Sequence, residues 1–198
     1  MESTEIILNK AEKLFADSGF GSVSMTNIAN ACKMSKANLY HHFSSKEDLY
    51  MQILIRAQKN TQSILEKTKE ITGTYIEKIE FFINEHLNQM LKDPMKYKLL
   101  AREFSDLGLS SRAMPSVGLM EQNLSQIVDL IDQAKKTGEI IDGTDSRLLA
   151  YQLLSPNLTY ITHQNLFDSV FEGLGPSSNK NFSKTLTANL LRGVKRND

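Results

Sequence analysis

Cysteine occurs once in the 198 residues, as Cys32, so no disulfide can form within the chain. A protein of the reducing cytoplasm fits that usage. Long apolar runs are missing too. None approaches the ~18 residues that span a bilayer, and the opening MESTEIILNKAEK is charged where a signal peptide has its apolar core. A cytoplasmic protein with no membrane partner is the expectation. No G-x-S-x-G stands in the chain, no serine has an ordered histidine and acid, and no glycine-rich loop is shaped to cradle phosphate. The sequence therefore shows no catalytic residues, and neither an enzyme nor a cofactor is expected. Cys32, His41 and His42 do not have zinc-finger spacing and supply one thiol, so no metal site is read there.

Charge of one sign is also missing, locally and in sum. The net charge is zero, which argues against a protein that coats nucleic acid indiscriminately. Between Asp17 and Glu47 there is no acidic residue, while Lys33, Lys36, Lys46, His41 and His42 all fall in that window. An acid-free basic stretch is the electrostatic footprint of a polyanion site. On charge alone, chance clustering on a solvated face explains it equally well.

What the chain has is helical spacing. Ile7, Ala11, Leu14 and Phe15 form one stripe; Ile76, Ile79, Ile83, Leu87 and Met90 a second; Leu124, Ile127, Ile131 and Ala134 a third. Sustained alternation of period two is absent, as are repeats and low-complexity tracts. The reading is an all-α protein of about nine helices. DSGFGS at 17–22 ends the first helix. Ser24 caps a second through Ile28, Ala29 and Cys32, and Ser35 caps a third over about Lys36 to His42. Ser45 with Asp48 reads as a capping box for a fourth, reaching about Glu70. No flexible linker divides the chain, so the fourth helix is expected to be a rigid joint between a domain at 1–46 and one at 47–198.

Two short helices joined by a tight turn suggest a helix-turn-helix, whose second helix enters the DNA major groove. Ile28, Ala29, Cys32, Met34 and Leu39 can close a small core against Leu14, Phe15 and Phe20. Lys36, Asn38 and His41 then point outward. Asn suits bidentate contact with adenine, and Lys suits guanine or phosphate. Tyr40 can offer its hydroxyl to a phosphate, and Lys46 adds charge at a helix N-terminus.

LFADSGF, the NIA of the second helix, LYHHF and SKEDL agree in order and spacing with one family. Over about residues 5–55 the chain resembles the N-terminal DNA-binding domain of TetR-family bacterial transcriptional regulators. The resemblance implies a three-helix DNA-binding head followed by a larger helical domain for effector binding and dimerisation. It places Ser24 and Thr26 on phosphate at the start of the second helix. Ser35, Lys36, Ala37 and Asn38 would open the recognition helix, with Tyr40, His41 and Lys46 at phosphate and groove. Three positions depart from the family pattern. Lys33 and Ala37 stand where glycine is frequent, and Thr26 stands where a longer basic side chain is frequent.

The resemblance further implies a homodimer on a pseudo-palindromic double-stranded operator, acting as a repressor released by a small apolar effector. Candidate effector contacts are Phe82, His86, Met90, Phe104, Met120, Ile127, Tyr160 and His163. The same aromatic and methionine side chains read equally as plain core, with Met filling gaps. Leu149, Leu153, Leu186 and Leu190, on the last long helices, are the candidate dimer contacts, because the leucines there exceed what one slim domain need bury. Arg102 and Glu103 read as a solvated pair. The competing functional reading is a ligand-independent DNA-binding regulator whose C-terminal domain docks a protein partner.

Overall fold

The computed structural model describes residues 3–105, 114–170 and 182–195. Regular structure there is helical, with one isolated antiparallel bridge between Ile140 and Lys195. In chain order the helices are α1 Ser3–Ser22, α2 Met25–Ala31, α3 Lys36–His42, α4 Lys46–Glu70, α5 Tyr75–Lys92, α6 Pro94–Ser105, α7 Met114–Lys136, α8 Ser146–Thr162, α9 Gln164–Val170 and α10 Phe182–Arg192. Ten helices among the described residues thus stand where about nine are expected. The added break is at His163, whose backbone leaves the helical region at φ −119° and ψ 24°. Its amide turns back onto the Thr159 and Tyr160 carbonyls, and the Thr162 hydroxyl donates to the Leu158 and Thr159 carbonyls. Pro156 is carried inside α8.

The chain divides into two compact units. One comprises Met1–Lys59 with Asp93–Leu119, the other Asn60–Lys92 with Met120–Asp198.

In the first unit α1 packs on α2 and α6, and α2 packs on α3. Ile7, Ala11 and Phe15, one turn apart along α1, are fully buried, as are Ile28, Leu39, Leu49 and Ile53. Full burial of each such aliphatic side chain is worth about 1.5–3 kcal/mol. The glycines at 17–22 kink α1 rather than end it: Gly19 takes φ +78° and the helix resumes to Ser22. A Cβ at Gly19 would stand 3.5 Å from the Arg102 guanidinium. Lys46 Nζ donates to the Phe20 carbonyl at 2.9 Å, supplying a partner at the helix end. Arg56 of α4 holds three groups of α1, namely Glu5 at 3.1 Å, Asn9 at 2.8 Å and Glu12 at 2.5 Å. Arg102 and Glu103 do not form the solvated pair expected. Glu103 is only 3% exposed and accepts the Tyr50 hydroxyl at 3.2 Å, because the α6 turn that carries it faces inward.

In the second unit α5 packs on α8 and α10, and α8 on α9 and α10. The α5 stripe from Ile76 to Met90 is buried as its spacing requires. Ile64, Leu65, Ile127, Ile131, Ala134, Leu149, Leu153 and Leu191 complete the core. Leu124, read on the same α7 stripe, is 38% exposed. Inside this core Asn157 donates Nδ2 to the Ile83 carbonyl at 3.1 Å. Glu139 accepts the Tyr75 and Ile76 amides at the start of α5.

Candidate nucleic-acid interface

The interface is built from two short helices held by their caps. Ser24 Oγ accepts the Asn27 amide at 3.1 Å, and Asn27 Oδ1 accepts the Ser24 amide at 2.9 Å. This reciprocal box fixes α2 where it starts. After Ala31 the chain turns within four residues. The Cys32 amide returns to the Ile28 carbonyl at 2.9 Å, and the Met34 amide to the Ala29 carbonyl at 3.0 Å. Lys33 takes the corner with φ +55°, a left-handed conformation in which a Cβ costs about 1–2 kcal/mol. That is a physical reason for glycine to be frequent there.

Ser35 then caps α3, its Oγ accepting the Asn38 amide at 3.1 Å. Leu39 faces inward at 0% exposure and Phe43 follows at 4%. These two apolar anchors orient the helix. Lys36, Ala37, Asn38, Tyr40, His41 and His42 are all exposed, and the Lys36 ammonium lies 5.9 Å from the Tyr40 ring centroid. Ser24 and Thr26 are exposed beside them. The acid-free window therefore becomes a surface that pairs cations with hydroxyl and amide groups.

Lys46 and the start of α4 differ from expectation. Lys46 is half-buried, with its ammonium 4.2 Å from the Phe20 ring centroid as well as on the Phe20 carbonyl. One of its protons is thus engaged within the unit. His42 is exposed and meets the Thr4 hydroxyl at 3.2 Å, because α3 ends before the chain turns inward at Phe43. At α4 the Ser45 hydroxyl accepts the Asp48 amide at 3.0 Å, but the Asp48 carboxylate turns to the Ser44 amide, at 2.9 Å. Among the described residues no group of three or more His, Cys, Asp or Glu side chains could hold a metal ion. No helix there is long and apolar enough to cross a membrane.

The effector candidates fall into different environments. Phe82, His86, Met90, Ile127 and Tyr160 are buried in the second unit, and Met120 is half-buried. His86 stacks on Phe82 with centroids 5.6 Å apart, and burial lowers its pKa to about 4. The imidazole is therefore neutral at pH 7. The Tyr160 hydroxyl donates to Asp168 at 3.0 Å. His163 does not join them. It is exposed as the C-cap of α8, with Nδ1 at 3.1 Å from the Thr159 carbonyl. The Phe104 side chain lies outside the described residues. Buried Asn157 and Thr187 are polar groups the sequence reading missed; Asn157 lies four residues after the buried Leu153, on the same helix face, which is the signal that could have found it.

The dimer candidates also fall into different environments. Leu149 is 2% and Leu153 1% exposed, both in their own unit's core, because they share the α8 face turned toward α5. Leu190 is partly buried against that core, and Leu186 is half-buried. The outward apolar side chains of α8 are Leu148 at 54% and Tyr151 at 67%.

Residues 7–53 match the family model of bacterial regulatory proteins, tetR family. The HTH-type transcriptional regulator UidR of Escherichia coli strain K12 is 30% identical over 159 residues, covering 78% of this chain and 76% of that one. The structure of AibR in complex with isovaleryl coenzyme A and operator DNA superposes with a TM-score of 0.76 at 21% identity. That match covers 95% of this chain and 97% of that one. FadR of Bacillus subtilis in complex with stearoyl-CoA superposes with a TM-score of 0.75 at 20% identity, covering 96% and 98%. A helix-turn-helix with this outward face, together with UidR over three quarters of both chains, makes the protein a DNA-binding transcriptional regulator rather than an enzyme, and the chain belongs to the TetR family of bacterial regulatory proteins.

Proposed function

We propose that the protein is a repressor that binds a pseudo-palindromic operator as a homodimer and is released by a small apolar effector. The observation that carries the DNA half is the face of α3: Lys36, Ala37, Asn38, Tyr40 and His41 exposed around a fully buried Leu39. In this reading α3 lies in the major groove, with Ser35, Lys36, Ala37 and Asn38 toward the bases. Tyr40 and His41 flank the groove. Ser24, Thr26 and the free protons of Lys46 meet phosphate.

The effector half rests on the second unit, where Phe82, Met90, Ile127 and Tyr160 give apolar, buried surface. Two structural neighbours carry acylated coenzyme A in their complexes, so the apolar effector group proposed first is the acyl chain of an acyl-CoA thioester, whose charged coenzyme A portion would remain outside the apolar core. Release requires that the effector bind the DNA-competent and the DNA-incompetent states with different affinity. The dimer face is assigned to the outer side of α8, at Leu148 and Tyr151.

The test is selection of bound duplexes from a random pool with the purified chain, followed by titration of the selected operator with acyl-CoAs of increasing chain length. An inverted repeat with half-sites spaced by whole turns, and saturable release by one chain-length range, are expected. Recovery of unrelated sequences, or an operator affinity that no acyl-CoA alters, would overturn the corresponding half. One observation favours the alternative of a ligand-independent regulator that docks a protein partner: α9 buries no residue, with Leu166 56% and Val170 60% exposed. Constant operator affinity together with a co-purifying protein would mark that case.

A further inference from the structure

Two acids and two bases meet in the seam of the first unit where α1 packs on α6. Glu12 of α1 is 5% exposed, and its Oε2 accepts from Arg56 of α4 at 2.5 Å. The same guanidinium also serves Asn9 and the half-exposed Glu5. Asp93, the residue before α6, stands within hydrogen-bond reach of the Glu12 carboxyl. It pairs in turn with the ammonium of Lys96, which is buried in the first turn of α6.

Two carboxyl groups meet at that range when a proton lies between them or when cations outweigh their repulsion. Lys96 is committed to Asp93, and Arg56 is divided over three partners, so neither cation is free to neutralise the contact itself. The other neighbours leave that balance unchanged. α2, which also packs on α1, has no acidic or basic side chain. Farther along α6, Arg102 lies against Gly19 and Glu103 takes the Tyr50 hydroxyl. We infer that Glu12 and Asp93 bind one proton between them as the pH falls, and that this proton tightens the seam of α1 with α6. Burial, then the Asp93 charge, raises the Glu12 carboxyl above its usual 4.5 against the pull of Arg56. Burial raises Asp93 too, but Lys96, Glu12 and Arg56 bring it below its usual 3.8. Glu12 is therefore the donor and the Asp93 carboxylate the acceptor. α2 packs on α1 and α3 on α2, so the seam supports both helices of the helix-turn-helix, and acid reinforces that support. The folded chain takes up this proton before the unfolded chain does. Its contribution to stability is complete below pH 4.5 and is lost as pH rises through the raised folded value.

The test is a carboxyl carbon NMR titration of the full chain, with the Glu12 signal assigned through its own side-chain connectivities. That signal should titrate above 4.5. In Asp93→Asn the new amide is a donor in its own right, no shared proton is needed, and the Glu12 midpoint should move down. A Glu12 signal at or below 4.5, or one that Asp93→Asn leaves in place, overturns the shared proton. Stability reads the seam itself. Glu12→Gln carries an amide donor at every pH and so mimics the protonated acid. Its urea midpoint should rise relative to the wild type's between pH 5 and pH 7.5, at unchanged slope. His86 is present in both proteins and cancels from the comparison. A midpoint difference that is equal at the two pH values, or that moves the other way, overturns the tightening. If Glu12→Gln does not fold, the wild-type titration and its displacement in Asp93→Asn decide.

Discussion

Lys33 holds the corner of the helix-turn-helix at φ +55°, at a cost of about 1–2 kcal/mol that glycine would escape. Glycine also has more unfolded-state freedom to lose, about 0.5–1 kcal/mol. Lys33→Gly should therefore raise the unfolding free energy by up to about 1 kcal/mol, read as a higher urea midpoint at unchanged slope. A lower midpoint would show that the Lys33 side chain contributes more than its backbone costs. His86 gives a pH-dependent counterpart. Burial lowers its pKa from 6.5 to about 4, so the folded chain holds the ring neutral while the unfolded chain protonates it below 6.5. Its contribution is complete above pH 6.5 and is lost as pH falls from there toward 4. At pH 5 the loss is about 2 kcal/mol. The stability difference between the wild type and His86→Leu should shift by that amount, against the wild type, between pH 7.5 and pH 5. A difference independent of pH would mean that the ring is solvated.

α2 and α3 have seven residues each, far fewer than a helix needs to persist alone in water. They exist because Ser24 and Ser35 satisfy their first amides and because Ile28 and Leu39 anchor them to the core. Ser24 is read in two roles, as cap and as phosphate contact, and two substitutions separate them. Ser24→Ala should cost about 1 kcal/mol of stability, whereas Ser24→Gly should cost only a few tenths. Both remove the hydroxyl, so both should weaken operator binding if Ser24 touches phosphate. Retention of full operator affinity by the glycine variant would confine Ser24 to capping. These helices were legible from sequence because their determinants are local: a cap, a corner, and an apolar residue every third or fourth position. The same holds for the α5 stripe. What was not legible depended on the direction a helix faces after packing. Glu103 reads as a surface acid until α6 turns it toward Tyr50. Leu149 and Leu153 read as interface leucines until α5 covers them. His163 looks like one more helical residue, because the hydrogen bonds that break the helix there are set by its own backbone and not by a Gly or Pro that would announce the break.

In the dimer proposed above, assembly turns on α8, which carries apolar side chains on opposite sides. Leu149, Ala150, Leu153, Tyr160 and Ile161 fill the core of the second unit, while Leu148 and Tyr151, three residues apart, share an outward face. Arg147, Gln152 and Thr159 are exposed on the outer side as well, so Leu148 and Tyr151 form a small apolar patch within a polar surface, and in a single chain that patch meets water. A second copy covering it by two-fold symmetry would bury both side chains twice over, once from each subunit. It would also supply the second recognition helix that an inverted repeat needs. The double variant Leu148→Glu with Tyr151→Glu tests this without touching the core. Both side chains are more than half exposed, so each replacement should change the stability of an isolated chain by no more than about 0.5 kcal/mol. Four carboxylates brought together in a symmetric interface would instead repel one another and lose their hydration. The variant should sediment as a monomer at micromolar concentration where the wild type sediments as a dimer. Its affinity for the full inverted repeat should fall at least tenfold, toward the affinity that both proteins share for a single half-site. A variant that still sediments as a dimer and still prefers the full repeat would remove α8's outer face from the interface and leave α9, with Leu166 and Val170 exposed, as the next surface to test.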